Sequence, residues 1–316
     1  MKINGKKIIS GVDKPVSKFA LGTAFYNNES KETWFKILDD FVKFGGTAID
    51  SARGYGKSED VIGSWLENRS DRDKIIMITK CGLTGEGVLP SDNYPELVRN
   101  ELSTSLQTLK TDYIDLYMLH RDNVDMTVAE ILDPLNEAIA KGYVLSLGAS
   151  NWTYPRVTEA NEYAYKNNMT GFAVVSNNIS LAVQSEPFYP GLVSTDKTGE
   201  EWHKEHQIPL IPWSSQARGF FTGRYTPEMS ADDGFTKRMI KVYFTDENFE
   251  RLSRAKELGE KKGYTAVEVA LAWLLHKPFP IVPIVGPHTQ DELASCVKAT
   301  TLSLTESEMR WLNLED

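Results

Sequence analysis

Short runs of apolar and β-branched residues recur along the chain, separated by longer stretches in which apolar residues return every three or four positions. The runs are Phe19–Thr23, Thr47–Ser51, Ile75–Lys80, Ile114–His120, Leu145–Ser150, Phe172–Asn177, Pro209–Ser214 and Ile281–Gly286. Most are near-continuously apolar rather than alternating, which predicts strands covered on both faces. The stretches between them predict helices. Lys31–Phe44 puts Trp34, Ile37, Leu38 and Phe41 on one face, Tyr94–Leu109 does the same with Leu97, Leu102 and Leu106, and Thr127–Lys141 stops at Gly142. Eight strands alternating with helices predict an α/β fold, a (β/α)8 TIM barrel, as a single domain over residues 1–316.

Two features depart from the simple repeat. Lys2–Ile9 contains Asn4-Gly5, a tight-turn signal between short apolar runs, and predicts an N-terminal β-hairpin closing one end of the barrel. The seventh and eighth runs are far apart because Gln216–Gly263 is inserted before the helix Thr265–His276. This insertion reads as a loop, Thr226–Thr236, and an extra helix, Glu247–Lys262. Connections of that length in compact domains usually act as lids or binding loops.

Composition narrows the function classes. The 316 residues are 41% hydrophobic and 25% charged, with a net charge of −9. That balance argues against a nucleic-acid partner, since broad phosphate contact needs Lys- and Arg-rich surfaces. No stretch is long and apolar enough to predict a membrane span, and no apolar segment follows the lysines of the first ten residues. Two cysteines, Cys81 and Cys296, are too few for a disulfide framework and suit a reducing, cytoplasmic location. No feature of the sequence speaks to oligomeric state.

The chemistry is at the strand ends. Asp50 ends the second predicted strand, Lys80 the third and His120 the fourth. Ser150 and Asn151 end the fifth, Ser176 and Asn177 the sixth, Trp213 the seventh and Gly286 the eighth. Each alone has a structural explanation, but together they collect at the C-terminal rim where barrel enzymes build their sites. Lys80 can pair with Asp50 from the neighbouring strand. Tyr55 follows in the loop Ala52-Arg53-Gly54-Tyr55-Gly56, whose glycines let the ring turn back over the barrel mouth. A cation beside a phenol favours phenolate, so Lys80 is expected to lower the Tyr55 pKa, with Asp50 holding the ammonium. His120 can hydrogen-bond a bound carbonyl oxygen. These side chains supply a proton donor and an oxyanion site, and the hydride must then come from a cofactor.

Over nearly its whole length the sequence resembles an aldo-keto reductase. The matching stretches are Leu21-Gly22-Thr23, Ala48 through Ala52, Tyr55-Gly56, Ser58-Glu59, Ile78-Thr79-Lys80, Ser103–Leu109 and Thr111 through Leu116. His120, Gly148 through Trp152 and Phe221 through Tyr225 follow. The resemblance implies Tyr55 as general acid, Asp50 and Lys80 as its tuning pair and His120 as the substrate-orienting residue. It implies NADP(H) or NAD(H) as cofactor, bound without a Rossmann domain, and no Gly-x-Gly-x-x-Gly is present. Ser150 and Asn151 would hold the nicotinamide carboxamide. Ser176 joins them, from Ser176-Asn177-Asn178, where the family usually carries Gln. Trp213, where the family usually has Tyr, would stack on the nicotinamide. Ser214, Gln216, Gly219 and Arg224 would follow the cofactor phosphates, and Gly286, His288 and Glu292 the adenosine. Relatives commonly carry Arg in place of His288. A neutral His cannot copy the guanidinium fork on a 2′-phosphate, and Glu292 would oppose it, so NADH or dual use enters beside NADPH.

Tyr26, Arg53, Arg121 and Trp152 fall in segments expected to surround the mouth and form the candidate substrate pocket, with Phe220 and Tyr243 nearby. Arg53 and Arg121 point to a small-molecule substrate that is polar and oxygen-rich, a sugar or hydroxylated ketone. Competing signals are weaker. Gly56-Lys57-Ser58 resembles the end of a phosphate-binding loop but has Ser51 where that motif needs glycine. His203 and His206 sit among Glu200, Glu201, Lys204 and Glu205, which predicts a solvated helix rather than a metal site. Cys81 is expected to be a buried structural thiol. The alternative reading of the whole is a catalytically weak, cofactor-binding regulatory protein on the same fold. A hydrolase or isomerase barrel would need a nucleophile or metal that the strand ends do not supply.

Overall fold

In the computed structural model, which describes residues 2–67, 69–83 and 87–315, strands and helices alternate from the first element onward; Met1 and Asp316, the ends of the expected single domain, lie outside the described residues. The first part runs β1 (Ala20–Gly22), α1 (Lys31–Lys43), β2 (Ala48–Asp50), α2 (Ser58–Leu66), β3 (Ile76–Cys81), α3 (Tyr94–Leu109), β4 (Leu116–Leu119) and α4 (Val128–Ala140). Then come β5 (Leu147–Ser150), α5 (Tyr154–Lys166), β6 (Phe172–Ser176), α6 (Lys197–His206), α7 (Gly234–Tyr243) and α8 (Asp246–Lys262). α9 (Ala266–Leu275), β7 (Ile284–Val285), α10 (Gln290–Ala299) and α11 (Glu306–Leu312) complete the chain.

The strands form one parallel sheet in the order β6-β5-β4-β3-β2-β1-β7. The expected strand Pro209–Ser214 is present only as bridges of Leu210, one to Val175 in β6 and one to Ile281 just before β7. Pro209 and Pro212 have no N–H to give to a ladder, which keeps the segment from counting as a strand. Their carbonyls still accept from Val175 at 3.1 Å and from Ile284 at 2.9 Å. The sheet therefore curls until its two edges meet the same short segment.

Side-chain parity divides the core in two. Ala20, Ala48, Ile76, Ile78, Leu116, Met118, Val174, Ile211 and Val282 pack together inside the curled sheet, closed at one end by Ile9, Val12 and Val16. Their neighbours in sequence, such as Leu21, Ile49, Met77, Tyr117, Leu147 and Val175, pack outward with the helices. Alternate strand residues face opposite sides, so one run builds both layers. Three helices begin with reciprocal capping boxes, at Thr127/Glu130, Thr265/Glu268 and Thr305/Glu308.

Three expectations change. The N-terminal segment does not turn at Asn4-Gly5: Lys6 bridges Val16 antiparallel, and the chain turns at Gly11, where φ is +83°. Gly5 serves close approach instead, since a Cβ there would lie 1.5 Å from the Val16 carbonyl oxygen. The insertion contains two helices, not one, because Asp233 caps α7 by accepting from the Thr236 N–H. On α6, His206 is exposed, as a solvated helix requires, but His203 is fully buried. Among the described residues, no helix is long and apolar enough to cross a membrane.

His203 stacks on Phe279, with ring centroids 5.3 Å apart, and its Nδ1 lies 2.7 Å from the Ile208 carbonyl oxygen. Burial lowers its pKa from 6.5 to about 4. The unfolded chain takes this proton near 6.5 and the folded chain resists until about 4, so the stabilisation is complete above 6.5 and is lost as pH falls toward 4. Between about pH 7.5 and about pH 5 this residue accounts for a loss of about 2 kcal/mol. Urea denaturation should show that slope in the wild type and its removal in His203→Gln.

Candidate active site

Inward parity carries on past the apolar layer and selects the side chains above it. Two residues beyond Ala48 stands Asp50, beyond Ile78 stands Lys80, beyond Met118 stands His120, and beyond Val174 stands Ser176. Register staggers the first of them by two residues per strand and aligns the last two: Asp50 pairs with Gly22 and Ile78, Lys80 with Met118, and Ser150 with Ser176. At Gly22 a Cβ would lie 2.7 Å from an Ile284 methyl, so glycine keeps that stave thin beside Asp50.

The structure brings four expected side chains together. Lys80 is 2% exposed and donates to Asp50 Oδ1 at 2.5 Å and to the Ser51 carbonyl at 2.9 Å. Its Nζ lies 5.0 Å from the centre of the Tyr55 ring, and that ring meets His120 edge-on at 5.4 Å. Tyr55 reaches this place through a turn in which its N–H bonds the Ala52 carbonyl, followed by Gly56 with φ +53°.

Electrostatics assign a state to each group. Burial opposes the Lys80 ammonium, but Asp50 and Tyr55 outweigh it and hold its pKa above the ordinary lysine value. Burial raises the Asp50 carboxyl, against the pull of Lys80. Burial also raises the Tyr55 phenol, helped by Asp50, while Lys80 and Arg121 draw it down. Lys80 thus acts in the expected direction but burial wins, and the expected net lowering is corrected: Tyr55 keeps its proton at neutral pH. Burial, with Lys80 and Arg121 nearby, depresses His120 well below 6.5, so its imidazole is neutral.

Ser150 and Asn151 are buried and spend their polar atoms on the protein. Ser150 donates to the Ser176 carbonyl at 2.9 Å, Asn151 donates to the His120 carbonyl at 3.2 Å, and Ser176 donates to the Ile211 carbonyl at 2.7 Å. Asn177 donates to the Trp152 carbonyl at 2.8 Å and meets Tyr154 of α5, on the helix side of the sheet. Trp213 Nε1, by contrast, is buried with no hydrogen-bond partner among the described residues, a donor left free at a stave end that fits the oxygen of a primary carboxamide. Beyond Trp213 the backbone turns through left-handed Ser214, Ala217, Arg218 and Gly219, braced by Arg224, which donates to the Arg218 carbonyl at 3.0 Å. Gln216 accepts from the Cys296 thiol at 3.9 Å. Gly286 and His288 are exposed after β7, and Glu292 accepts from the His288 N–H at 2.6 Å.

The expected pocket residues divide. Arg53 is ion-paired with Glu59, so its charge is already met. Tyr26 stacks on Trp34 at 4.5 Å, and Trp34 in turn meets the His288 ring. Trp152 is fully buried and donates to the Arg121 carbonyl at 3.1 Å, supporting the mouth from below rather than lining it. Arg121 faces Tyr55 electrostatically, as does Arg218, which sequence reasoning passed over. Its signal was an arginine directly before Gly219. Cys81 is a buried thiol raised to about 12 by burial. Among the described residues, no group of three or more His, Cys, Asp or Glu is placed to hold a metal ion.

The chain is similar to known proteins in sequence and in fold. Residues 18–313 match the family model described as the Aldo/keto reductase family. The chain is 31% identical to a norsolorinic acid reductase of Aspergillus flavus, covering 93% of this chain and 76% of the relative. It is 29% identical to an aryl-alcohol dehydrogenase [NADP(+)] of Phanerodontia chrysosporium, covering 90% and 76% respectively. Its fold is similar to that of a glycerol dehydrogenase from Gluconobacter oxydans, with a TM-score of 0.79, 22% identity, and coverage of 99% of this chain and 94% of that one.

Removing one member of the buried pair strands the other. Asp50→Asn should cost about 3–5 kcal/mol, because the Lys80 ammonium would remain buried without a counter-charge. Denaturant melts of the variant against Asp50→Asn/Lys80→Met, which removes both charges and should recover part of the loss, measure this.

Proposed function

Because this chain belongs to the aldo/keto reductase family, we propose that it is an NAD(P)H-dependent oxidoreductase. It reduces the carbonyl of a small polar substrate to an alcohol, on a (β/α)8 barrel whose remaining stave is the segment around Leu210. The observation that carries this reading is the contact set at the mouth: Lys80 on Asp50 at 2.5 Å, with the Tyr55 ring 5.0 Å from the ammonium and 5.4 Å from His120.

When bound, the reduced nicotinamide supplies the hydride, which no side chain can. The chain's own residues handle charge and proton. Tyr55, protonated because its phenol is buried, gives its proton to the carbonyl oxygen as negative charge develops there. Lys80 stabilises the phenolate left behind, and Asp50 keeps the ammonium in place. His120, neutral at working pH, hydrogen-bonds the same oxygen and orients the carbonyl. For the cofactor, Ser150, Asn151 and Ser176 form the wall against which the carboxamide would sit. Trp213 offers a free donor beside it. Ser214, Gln216, Gly219 and Arg224 would follow the phosphates, and Gly286, His288 and Glu292 the adenosine. The Glu292 carboxylate beside His288 supports use of NADH as well as NADPH. Free, buried thiols support a reducing, cytoplasmic setting.

Tyr55→Phe should lower turnover by about 10²–10⁴-fold, with cofactor affinity, read by quenching of protein fluorescence, little changed. Unaltered turnover in that variant contradicts the assignment. Tight cofactor binding by the wild type without reduction of any aldehyde, ketone or aldose would favour the regulatory alternative. For the cofactor, Glu292→Gln with His288→Arg should shift the NADPH-to-NADH ratio of kcat/KM toward NADPH by roughly tenfold, measured by initial rates with both cofactors.

A further inference from the structure

Most partly buried arginines in this protein are matched with acids: Arg53 with Glu59, Arg69 with Asp71, Arg72 with Asp115, and Arg156 with Asp122. Two at the mouth have no acidic partner among the described residues. Arg121 is 8% exposed; its Nη1 donates to the His120 carbonyl at 2.7 Å, while its Nε is buried with no partner. The guanidinium of Arg218 makes no hydrogen bond or ion pair among the described residues, and its Nε is buried as well. A buried cation without a counter-charge is unfavourable, and burial lowers the pKa of both groups.

One segment touches both. The Arg218 guanidinium lies 4.0 Å from the centre of the Phe188 ring and 5.8 Å from that of Tyr189. Two residues on, a Cβ at Gly191 would come within 3.7 Å of Arg121 Cδ. The two cations therefore share a wall, and both lie near enough to Tyr55 to interact with a phenolate formed there. Aromatic rings around them exclude water and strengthen any ion pair made there.

We propose that Arg121 and Arg218 form an oxyanion subsite beside the reacting carbonyl, so that the natural substrate is a carbonyl compound bearing a carboxylate or phosphate. This rests on the reductase reading and deepens it. Guanidinium forks match both oxyanions, and an unmatched cationic mouth on a chain of net charge −9 draws anions toward Tyr55. The anion itself is unchanged in the reaction; the carbonyl gains a hydride and a proton.

The test pairs charged with neutral substrates. 4-Carboxybenzaldehyde is compared with methyl 4-formylbenzoate, and glyceraldehyde 3-phosphate with glyceraldehyde, in cofactor-oxidation assays. The anionic member of at least one pair should be favoured by roughly tenfold or more in kcat/KM, and which pair responds distinguishes carboxylate from phosphate. Arg121→Gln and Arg218→Gln should erase the preference through KM with cofactor affinity unchanged, whereas the Lys variants retain part of it. Equal rates within both pairs, a preference surviving the double Gln variant, or weakened cofactor binding in Arg218→Gln would overturn the proposal. Calorimetric binding of 4-(hydroxymethyl)benzoate against its methyl ester, on cofactor-loaded protein, reads the subsite without turnover. Anion-selective binding with no reduction of any carbonyl would keep the subsite and sink the reductase reading.

Discussion

A lysine ammonium with almost no access to water persists only where a carboxylate meets it, and here Asp50 meets Lys80 from the neighbouring strand at 2.5 Å. The pair demands that β2 and β3 stay in register and that both side chains point inward. It also demands that the chain after Asp50 pass over Lys80, where the Ser51 carbonyl accepts a second hydrogen bond from the ammonium. That passage brings Tyr55 to the same cation. Burial of the pair is costly by itself, and it is offset by the close Asp50 contact and the second hydrogen bond from Lys80 to the Ser51 carbonyl.

Several buried polar atoms around the mouth lack partners among the described residues, as do some in the helix layer, such as Trp34 Nε1, Ser105 Oγ and Tyr117 Oη. Those around the mouth include Tyr26 Oη, His120 Nδ1, Arg121 Nε, Trp213 Nε1 and Arg218 Nε. All belong to stave ends or the loops that follow them. Natural proteins leave few such atoms unpaired, and groups of them mark places where a ligand completes the network. Left-handed backbone at Ser214, Ala217 and Arg218 adds strain to the same rim, of order 1–3 kcal/mol per residue. The frame below is held by capped helices and by arginines paired with acids.

The site was legible because barrel chemistry is written one stave at a time. Most runs end in one or two polar residues, and in the structure counting by two from the apolar layer gives the direction of each. Asp50, Lys80 and His120 follow from that count. The loops were less readable. Arg53 and Arg121 look alike in sequence, each a basic residue just past a strand end, yet one is cancelled by Glu59 and the other is not. Trp152 likewise gave no sign that it would be sealed beneath Arg121 rather than open to a ligand. The Asn4-Gly5 dipeptide carried the composition of a turn and sits instead against Val16, a contact that depends on a partner eleven residues away.

By itself, the sequence determined the alternation of strand and helix and the polar residues at the strand ends, since these depend on patterns within short windows. Only the tertiary structure decided which charges are matched, that burial outweighs Lys80 at the Tyr55 phenol, that His203 is dry while His206 is wet, and that Arg218 joins Arg121. These outcomes depend on solvent exclusion and on partners from distant segments. A local pattern of residues does not contain the dielectric that will surround them.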